Sequence, residues 1–398
     1  MESPIKFDRR AFLRSGAAFG IASSLGIAPA MAAEEAAEKP KIRPLSGKMT
    51  YEEVRNRARE MMFPRCAVCP ECNGRGPCIG QVPGFGGMGA NRSFQANYDS
   101  LAAVELNARA IHDVKKPDMT FDFFGQKLSM PCMAAPTGGT TYNMGGKLTE
   151  EEFVTAICEG CNRAGTLGAV ADGIGDPIEV FEARLQTLKS KGLKAIIGLK
   201  PRLQEEIILR MKKAYEGGAV ALTIDLDSAG RAARATPGQT VEPKTFQQMK
   251  ELVKASPLPL FFKGIMTPDE AELVLKSGAA GLVVSNHGGR TLADTPGTAA
   301  VLPMIADRIN GKCKILVDGT VARGTDLEKY LALGADACLA GRHFVRAAHG
   351  GLADGVELFA NRLKSELQVA MILTGAKNLA AIDRSRIRIP TQPVKREA

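Results

Sequence analysis

The sequence predicts an α/β protein: a closed (β/α)8 TIM barrel with a cysteine-rich extension on its amino-terminal side. From about residue 129 onward, short apolar runs rich in Val, Ile and Ala alternate with longer stretches of helical periodicity. Eight such runs occur, and they are too apolar to be half exposed, as parallel strands covered on both faces should be. Polar residues follow several runs at the end where a barrel carries its chemistry. An open, doubly wound sheet is the alternative fold.

The individual elements follow from these patterns. The predicted barrel domain spans residues 97–385, and residues 386–398 form a tail. Several helices are preceded by Thr, Asp or Pro, which are typical of helix starts, and we place them near residues 51–62, 150–163, 203–216, 268–276 and 326–333. The predicted strands lie near residues 131–135, 166–171, 194–198, 219–224, 260–263, 280–285, 314–318 and 337–341.

Composition and charge limit the function. The chain has 398 residues, of which 45% are hydrophobic and 24% charged, and these values are typical of a globular protein with a sizeable core. Its formal net charge of +9 favours anionic ligands. Nucleic acid is not an expected partner, because aromatic residues make up 5% and Trp is absent. After residue 32, no apolar run is long enough to span a bilayer.

The first 32 residues have the features of a twin-arginine export signal. Arg9 and Arg10 precede Phe12 and Leu13, and an alanine- and glycine-rich run then ends in an A-x-A site at residues 30–32. We therefore expect export to the periplasm in a folded state, which suits a protein that loads a cofactor before crossing the membrane. A basic amino terminus without structure is the alternative. Residues 33–96 are predicted to form a linker and the cysteine-rich segment.

Four of the nine cysteines are closely spaced. Cys66, Cys69, Cys72 and Cys78 form a C-x2-C-x2-C-x5-C pattern. Thiolates at this spacing can converge on one ion or cluster, so a [4Fe–4S] cluster or zinc is the first hypothesis. Disulfides in an oxidising compartment, or free thiols, are the alternatives. Core packing accounts for the other five cysteines.

Residues able to support catalysis follow the predicted strands at one end of the barrel. His287 is one of four histidines, and its ordinary pKa near 6.5 suits a general base. Asp225 could orient it and stabilise its charged form. Arg290, in the same glycine-flanked loop, matches a carboxylate with its planar fork. Lys263 could neutralise negative charge that develops on an electron-accepting ring.

Backbone groups near the last two strands indicate a phosphate site. The amides around Asp318-Gly319 and Gly341-Arg342 lie where barrels of this kind bind phosphate. Each polar residue also has a structural interpretation: His287 could be solvated, Lys263 could extend to water, and Asp225 or Asp318 could cap a helix. We favour a joint site, because independent structural residues would not all follow successive strands at the same end.

The stretch from Val283 to Arg290, Val-Val-Ser-Asn-His-Gly-Gly-Arg, closely resembles the active-site signature of the FMN-dependent 2-hydroxy acid oxidases and dehydrogenases. The resemblance extends over about residues 97–380. It implies that His287 is the base, supported by Asp225, and that Arg290 binds the substrate carboxylate. The cofactor-binding residues that it implies are Ala135, Pro136, Thr137, Thr223, Lys263, Ser285, Asp318, Gly319, Arg323, Gly341 and Arg342.

The implied reaction moves a hydride equivalent from the hydroxyl-bearing carbon to flavin N5 and yields a 2-oxo acid. The chain departs from the family pattern at several positions. Lys200 stands where the family has a substrate-binding tyrosine, and Gly198 replaces a glutamine. A second carboxylate-binding arginine falls at Ala232, with Arg231 or Arg234 as substitutes. We count Lys200 and Arg231 among the predicted substrate-binding residues.

Two other functions remain open at this stage. The same barrel could act as an FMN-dependent reductase or isomerase on another anion, which Lys200 and Ala232 favour. It could instead be a non-catalytic periplasmic flavin or electron-transfer protein, against which His287 and Arg290 both argue, since a carrier needs no base. The expected partners are a small anionic substrate and a redox partner that accepts electrons. We also expect a homo-oligomer.

Overall fold

The computed structural model describes residues 49–234 and 240–389, with the side chains of residues 232–234 excepted. The predicted export signal at residues 1–32, the linker up to residue 48 and the tail from residue 390 lie outside the described residues. Within the described ranges, no helix is both long and apolar enough to cross a membrane.

Eight parallel strands form one sheet, and all eight predicted strands are confirmed. Their order in the sheet follows the chain, apart from the first strand, which pairs with the last. The strands are β1 (Cys132–Ala134), β2 (Gly168–Ala171), β3 (Ala195–Leu199), β4 (Ala219–Asp225), β5 (Leu260–Ile265), β6 (Gly281–Val284), β7 (Lys314–Val317) and β8 (Ala337–Ala340).

The sheet closes into a barrel, so the open doubly wound alternative is wrong. The Ala134 amide at the end of β1 donates to the Leu167 carbonyl at the start of β2, at 3.0 Å. A parallel bridge between Thr137 and Val170 continues this contact. Closure is possible because nearly every strand residue is buried, so neither face of the sheet needs to meet water.

Helices surround the strands, and the five predicted helices are confirmed to within about two residues at each end. Their starts follow from sequence: the Thr149 hydroxyl accepts from the Glu152 amide, and the Glu152 carboxylate accepts from the Thr149 amide. The helices are α1 (Tyr51–Met62), α2 (Arg92–Ala102), α3 (Thr140–Asn143), α4 (Glu150–Arg163), α5 (Ile178–Ser190), α6 (Gln204–Glu216), α7 (Phe246–Ala255), α8 (Pro268–Ser277), α9 (Thr298–Ile309), α10 (Gly324–Leu333) and α11 (Arg342–Thr374).

The cysteine-rich segment, residues 66–91, packs across the carboxyl-terminal end of the barrel. The Met88 amide donates to the Gly289 carbonyl at 2.7 Å, which ties the segment to the loop after β6. From the other side, Arg59 of α1 donates to the carbonyls of Ala67 and Val68. The segment is therefore held between α1 and the barrel, in spite of its lack of regular structure.

Helix α4 approaches α11 closely at Gly160, and this contact supports a stability prediction. A Cβ at position 160 would lie 2.4 Å from the Ala353 carbonyl oxygen and 2.6 Å from the Val356 Cβ. We expect Gly160→Ala to lower the free energy of unfolding by about 1–3 kcal/mol, because the helices must separate. Gly230→Ala is the control, since a Cβ there meets no atom within 4 Å. Denaturant unfolding of both variants checks this, and equal stabilities would contradict the packing argument.

Candidate active site

A cavity opens at the carboxyl-terminal end of the strands, here called the barrel mouth. It brings together twelve of the residues predicted from the sequence: Ala135, Pro136, Thr137, Lys200, Arg231, Lys263, His287, Arg290, Asp318, Gly319, Gly341 and Arg342. Thr223, Asp225 and Ser285 lie buried beneath this lining. Arg323 lines a neighbouring cavity instead.

The loop after β6 presents His287 in an unusual backbone conformation. His287, Gly288 and Gly289 have φ values of 58°, 63° and 77°, all in the left-handed region. Position 289 requires glycine, because the Cβ of any other residue would lie 2.5 Å from the Phe94 amide nitrogen. A side chain held in this region marks a position that the surrounding structure fixes.

Asn286 is the residue that holds this loop. Its side-chain oxygen accepts from the Gly289 amide at 3.1 Å and from the Asn97 side-chain amide at 2.7 Å. Its own amide group donates to the Asn97 oxygen at 3.1 Å and to the Pro296 carbonyl at 3.1 Å. Sequence reasoning missed both asparagines, because the pair joins positions 189 residues apart and no local pattern indicates it.

The carboxylate that contacts His287 is Asp227, which corrects the predicted contact with Asp225. The Nδ1 atom of His287 lies 3.1 and 3.2 Å from the two carboxylate oxygens of Asp227. Strand β4 ends at Asp225, and a 3-10 helix (Leu226–Arg234) begins there, so the side chain two residues further on turns toward the histidine. The Thr291 hydroxyl also donates to Asp227, at 3.3 Å.

Asp225 instead belongs to a buried network of alternating charges. One of its oxygens accepts from the Lys200 ammonium at 2.5 Å, and the other lies 3.8 Å from Lys263. Lys263 reaches Asp318 at 3.3 Å, and Asp318 accepts from the Ser285 hydroxyl at 2.8 Å. Burial would raise the pKa of Asp225, but Lys200 and Lys263 outweigh it and lower that pKa. The network therefore holds ionised groups below the mouth.

The surroundings of His287 favour its neutral form. Burial lowers the pKa of His287 well below its ordinary value, and the positive charges of Lys263, Lys200 and Arg231 lower it further, although Asp225 opposes them. A neutral imidazole whose Nδ1 donates to Asp227 has Nε2 as its proton-accepting atom. The ring lines the barrel mouth, where a neutral imidazole is able to accept a proton from a bound ligand.

Cationic side chains converge beside the histidine. The Arg290 guanidinium donates to the Asn143 side-chain oxygen at 2.8 Å, and Arg231 donates to the Arg290 carbonyl at 2.9 Å. Lys200 lines the same part of the cavity. Asn143 lies in the short helix α3 beside Tyr142, which also lines the cavity, and neither residue was predicted from the sequence. The side of the mouth around Arg290 is suited to a carboxylate.

Arg323 and Arg342, both predicted to bind the cofactor, bond to other parts of the protein. Arg323 pairs with Glu71 at 3.2 Å on a mostly exposed surface. Arg342 lines the mouth, and its guanidinium donates to the carbonyls of Phe85 at 2.9 Å and Gly288 at 2.9 Å. Gly319 and Gly341 also line the cavity near strands β7 and β8, and backbone amides at such positions are suited to a phosphate.

The mouth also contains polar atoms that lack a protein partner. Among the described residues, Thr223 Oγ1, Asp318 Oδ1 and Thr320 Oγ1 are buried without a hydrogen bond. Such atoms cost free energy unless a ligand satisfies them. A flavin with a polar ring edge and a chain of hydroxyls offers the required donors and acceptors. The residues present therefore fit FMN.

The four clustered cysteines line one small cavity next to the mouth. All are free thiols, so the disulfide alternative is not present in this structure. Within residues 49–234 and 240–389, no group of three or more His, Cys, Asp or Glu side chains is arranged to hold a metal ion. The predicted zinc site is thus not formed by these side-chain positions.

Comparison with known proteins identifies the family. The family model for FMN-dependent dehydrogenases matches residues 85–247 and 233–389. An L-lactate oxidase from a Nostoc species is 30% identical in a 355-residue alignment that covers 76% of this chain and 92% of that protein. A 2-hydroxyacid oxidase from Dictyostelium discoideum is 30% identical over 322 residues, covering 73% of this chain and 81% of that one.

Solved structures agree on the fold. A crystal structure of mandelate oxidase superposes with a TM-score of 0.69 at 24% identity, over 85% of this chain and 97% of that one. This likeness supports the barrel architecture. The family match over most of the chain and the relatives at 30% identity show that the chain belongs to the FMN-dependent 2-hydroxy acid oxidases and dehydrogenases, and that it is an oxidoreductase that acts on a CH–OH group.

Proposed function

We propose that the protein oxidises a small 2-hydroxy acid to the 2-oxo acid, with His287 as the base and Arg290 as the carboxylate anchor. The observation that carries this proposal is the pairing of His287 Nδ1 with Asp227 at 3.1 Å in a ring that lines the barrel mouth. The pairing assigns one nitrogen to the carboxylate and leaves the other to take a proton from substrate.

His287 and Asp227 act together in this proposal. Nε2 of the neutral histidine takes the proton of the substrate hydroxyl, and the ring becomes positively charged. Asp227 stabilises that charge through Nδ1, and its contact fixes the orientation of the ring. When bound at the barrel mouth, FMN would supply the acceptor for the hydrogen and the electron pair that leave the substrate carbon.

Arg290 and Lys200 bind and orient the acid. Asn143 holds one side of the Arg290 guanidinium, which fixes the plane of the fork that meets the carboxylate. Lys200 adds a cation whose ammonium is held by Asp225 at 2.5 Å. Lys200 stands where the family has a tyrosine, and this exchange of a phenol for a cation favours substrates that carry negative charge near the hydroxyl. Lys263, held between Asp225 and Asp318, lies where it can neutralise charge on the flavin.

The names of the relatives support this class of substrate. They include a glycolate oxidase from Zea mays and an L-lactate dehydrogenase from Alcaligenes faecalis, which are 28% and 27% identical to this chain. Nothing in these comparisons favours a reductase, an isomerase or a non-catalytic carrier. We infer that the lysine at position 200, in place of the family's tyrosine, affects which 2-hydroxy acid is oxidised.

We also propose that residues 1–32 direct export through the twin-arginine route. The support comes from the paired arginines, the apolar run and the A-x-A site. A route that carries folded proteins suits an enzyme that must bind FMN first. Fractionation of cells that express the full chain or an Arg9→Lys, Arg10→Lys variant tests this assignment.

The first prediction from this mechanism concerns the reduction of bound flavin by substrate. Under anaerobic conditions, one of a panel of 2-hydroxy acids should bleach the bound flavin of the purified protein. His287→Ala should slow that bleaching by about 10²- to 10⁴-fold, because the proton acceptor is lost. Stopped-flow absorbance measures both. Flavin that no acid bleaches, or bleaching that survives in His287→Ala, would refute the proposed reaction.

The second prediction separates the two aspartates. Asp227→Asn should slow flavin reduction by roughly 10²-fold or more, with FMN still bound, because the charged histidine loses its partner. Asp225→Asn should chiefly destabilise the protein, by about 3–5 kcal/mol, because it leaves Lys200 buried without its carboxylate and removes one of the two carboxylates beside Lys263. Reduction rates and thermal unfolding of both variants check this contrast. If Asp225→Asn slowed reduction and left stability unchanged, the base partner would be Asp225.

The third prediction concerns pH. Because the pKa of His287 is lowered, its proton-accepting form persists below its ordinary pKa of about 6.5, and the acidic limb of the flavin-reduction rate should lie below that pH. Lys200→Met removes a cation that lowers this pKa, so the acidic limb should move to higher pH. Lys191→Met, an exposed residue at the opposite end of the barrel, is the control. An unmoved limb in Lys200→Met would rule out the electrostatic coupling.

A further inference from the structure

The cysteine-rich segment holds a group of thiols that the oxidation chemistry does not use. Cys66, Cys69, Cys72 and Cys78 all line one small cavity, together with Arg346 of α11. Cys72 also lines the barrel mouth, so this cavity, here called the cysteine pocket, shares a wall with the flavin site. Four free thiols around one cavity beside a redox cofactor are more than core packing requires.

The hydrogen bonds to sulfur in this pocket indicate an anionic occupant. The Arg346 guanidinium donates to Cys72 Sγ at 3.0 Å and to Cys66 Sγ at 3.4 Å. The Val68 amide also donates to Cys66 Sγ, at 3.4 Å, and the Asn91 side chain approaches Cys78 Sγ at 3.9 Å. N–H groups directed at cysteine sulfur stabilise thiolates and tune the potentials of iron–sulfur clusters.

Arg346 supplies the strongest argument. It is 8% exposed, and its Nε is buried without a hydrogen-bond partner. Among the described residues, its hydrogen bonds go to cysteine sulfur, while the segment's own carboxylate, Glu71, pairs with Arg323. Neutral thiols do not compensate a buried cation. One turn earlier on α11, the Arg342 guanidinium packs over the Phe94 ring, which also lines the pocket.

A single ion and a cluster need different arrangements of their ligands. Four thiolates around zinc lie about 3.8 Å apart, given Zn–S bonds of about 2.3 Å. Among the described residues, no group of three or more His, Cys, Asp or Glu side chains is arranged to hold one metal ion. A cubane binds each cysteine at a separate iron, so its ligands stand further apart. Cys66 and Cys72 both accept from the same Arg346 guanidinium nitrogen, at 3.4 and 3.0 Å.

We propose that Cys66, Cys69, Cys72 and Cys78 bind a [4Fe–4S] cluster that takes electrons from the reduced flavin. With four thiolates, the oxidised cluster is a dianion, which the nearby guanidinium groups of Arg342 and Arg346 match in charge. The electron-transfer role rests on the proposed function, because the electrons come from the 2-hydroxy acid. Binding of the cluster does not depend on it.

Oxidation of one hydroxy acid delivers two electrons to the flavin. The cluster takes them one at a time, so two transfers restore oxidised flavin, and the protons leave to solvent. Each electron then passes to a one-electron acceptor. Cys69 and Cys72 also line a second cavity. Its charged lining consists of five cations against two carboxylates, and this basic excess suits an acceptor with an acidic surface; the residues are Arg55, Arg323, Lys329, Arg346 and Arg362, with Glu71 and Asp326.

The first experiment measures the cluster itself. The full chain, purified anaerobically and incubated with Fe²⁺ and sulfide, should contain four iron and four sulfide per chain. Dithionite reduction should then produce the electron paramagnetic resonance signal of a reduced four-iron cluster. Cys72→Ser should lose iron, and Cys313→Ser, which changes a half-buried cysteine outside the segment, should keep it. Zinc without iron, a disulfide, or no iron in the unsubstituted chain would overturn the proposal.

The second experiment tests the electron route. After anaerobic mixing with an acid that bleaches the flavin, the cluster signal should appear as the flavin reoxidises. With ferricyanide as acceptor, Cys69→Ser, which changes a cysteine of the pocket outside the lining of the barrel mouth, should lose steady-state turnover while its flavin is still bleached at the unsubstituted rate. A cluster that stays oxidised beside reduced flavin would refute the route. If no acid bleaches the flavin, the proposed function fails, and the iron content still decides whether the cluster is bound.

Discussion

The buried charges beneath the barrel mouth constrain the rest of this structure. Lys263 is 4% exposed and has Asp225 on one side and Asp318 on the other, while Lys200 closes the row at Asp225. Charges removed from water in this way are tolerated where each has an opposite neighbour. Strands β4, β5 and β7 must therefore stay in register, because each supplies one member. The barrel gives this precision, since its closed hydrogen bonding leaves no strand free to shift.

Residues that precede the barrel strands in the chain hold the loop that carries His287. The histidine loop adopts three left-handed residues in succession, a conformation that needs support from outside the loop. That support comes from Asn97 of α2, which pairs with Asn286, and from Met88, whose amide binds the Gly289 carbonyl. Both residues precede the barrel in the chain. These residues thus position the loop that carries His287, and the cysteine-rich segment contacts that loop through Met88.

Sequence reasoning succeeded where a local pattern carries the structure. Apolar runs predicted each strand, and capping residues such as Thr149 predicted helix starts, because both depend on neighbours in the chain. It also placed His287 and Arg290 at one end of the barrel, since parallel strands bring their carboxyl ends together. Sequence reasoning was wrong where the path of the backbone after a strand decides which side chain makes a contact. Asp225 and Asp227 are two residues apart, and the 3-10 helix after β4 brings Asp227, not Asp225, into contact with His287.

Long side chains are the other source of error. The family resemblance implied that Arg342 and Arg323 bind the cofactor, yet the Arg342 guanidinium donates to carbonyls of the extension and Arg323 pairs with Glu71. These partners, Phe85 and Glu71, belong to a segment whose path no periodicity indicates. The same segment brings the sulfur atoms to Arg346. Arg342, one turn before Arg346 on α11, packs over the Phe94 ring that lines the cysteine pocket, so two guanidinium groups lie next to the thiols.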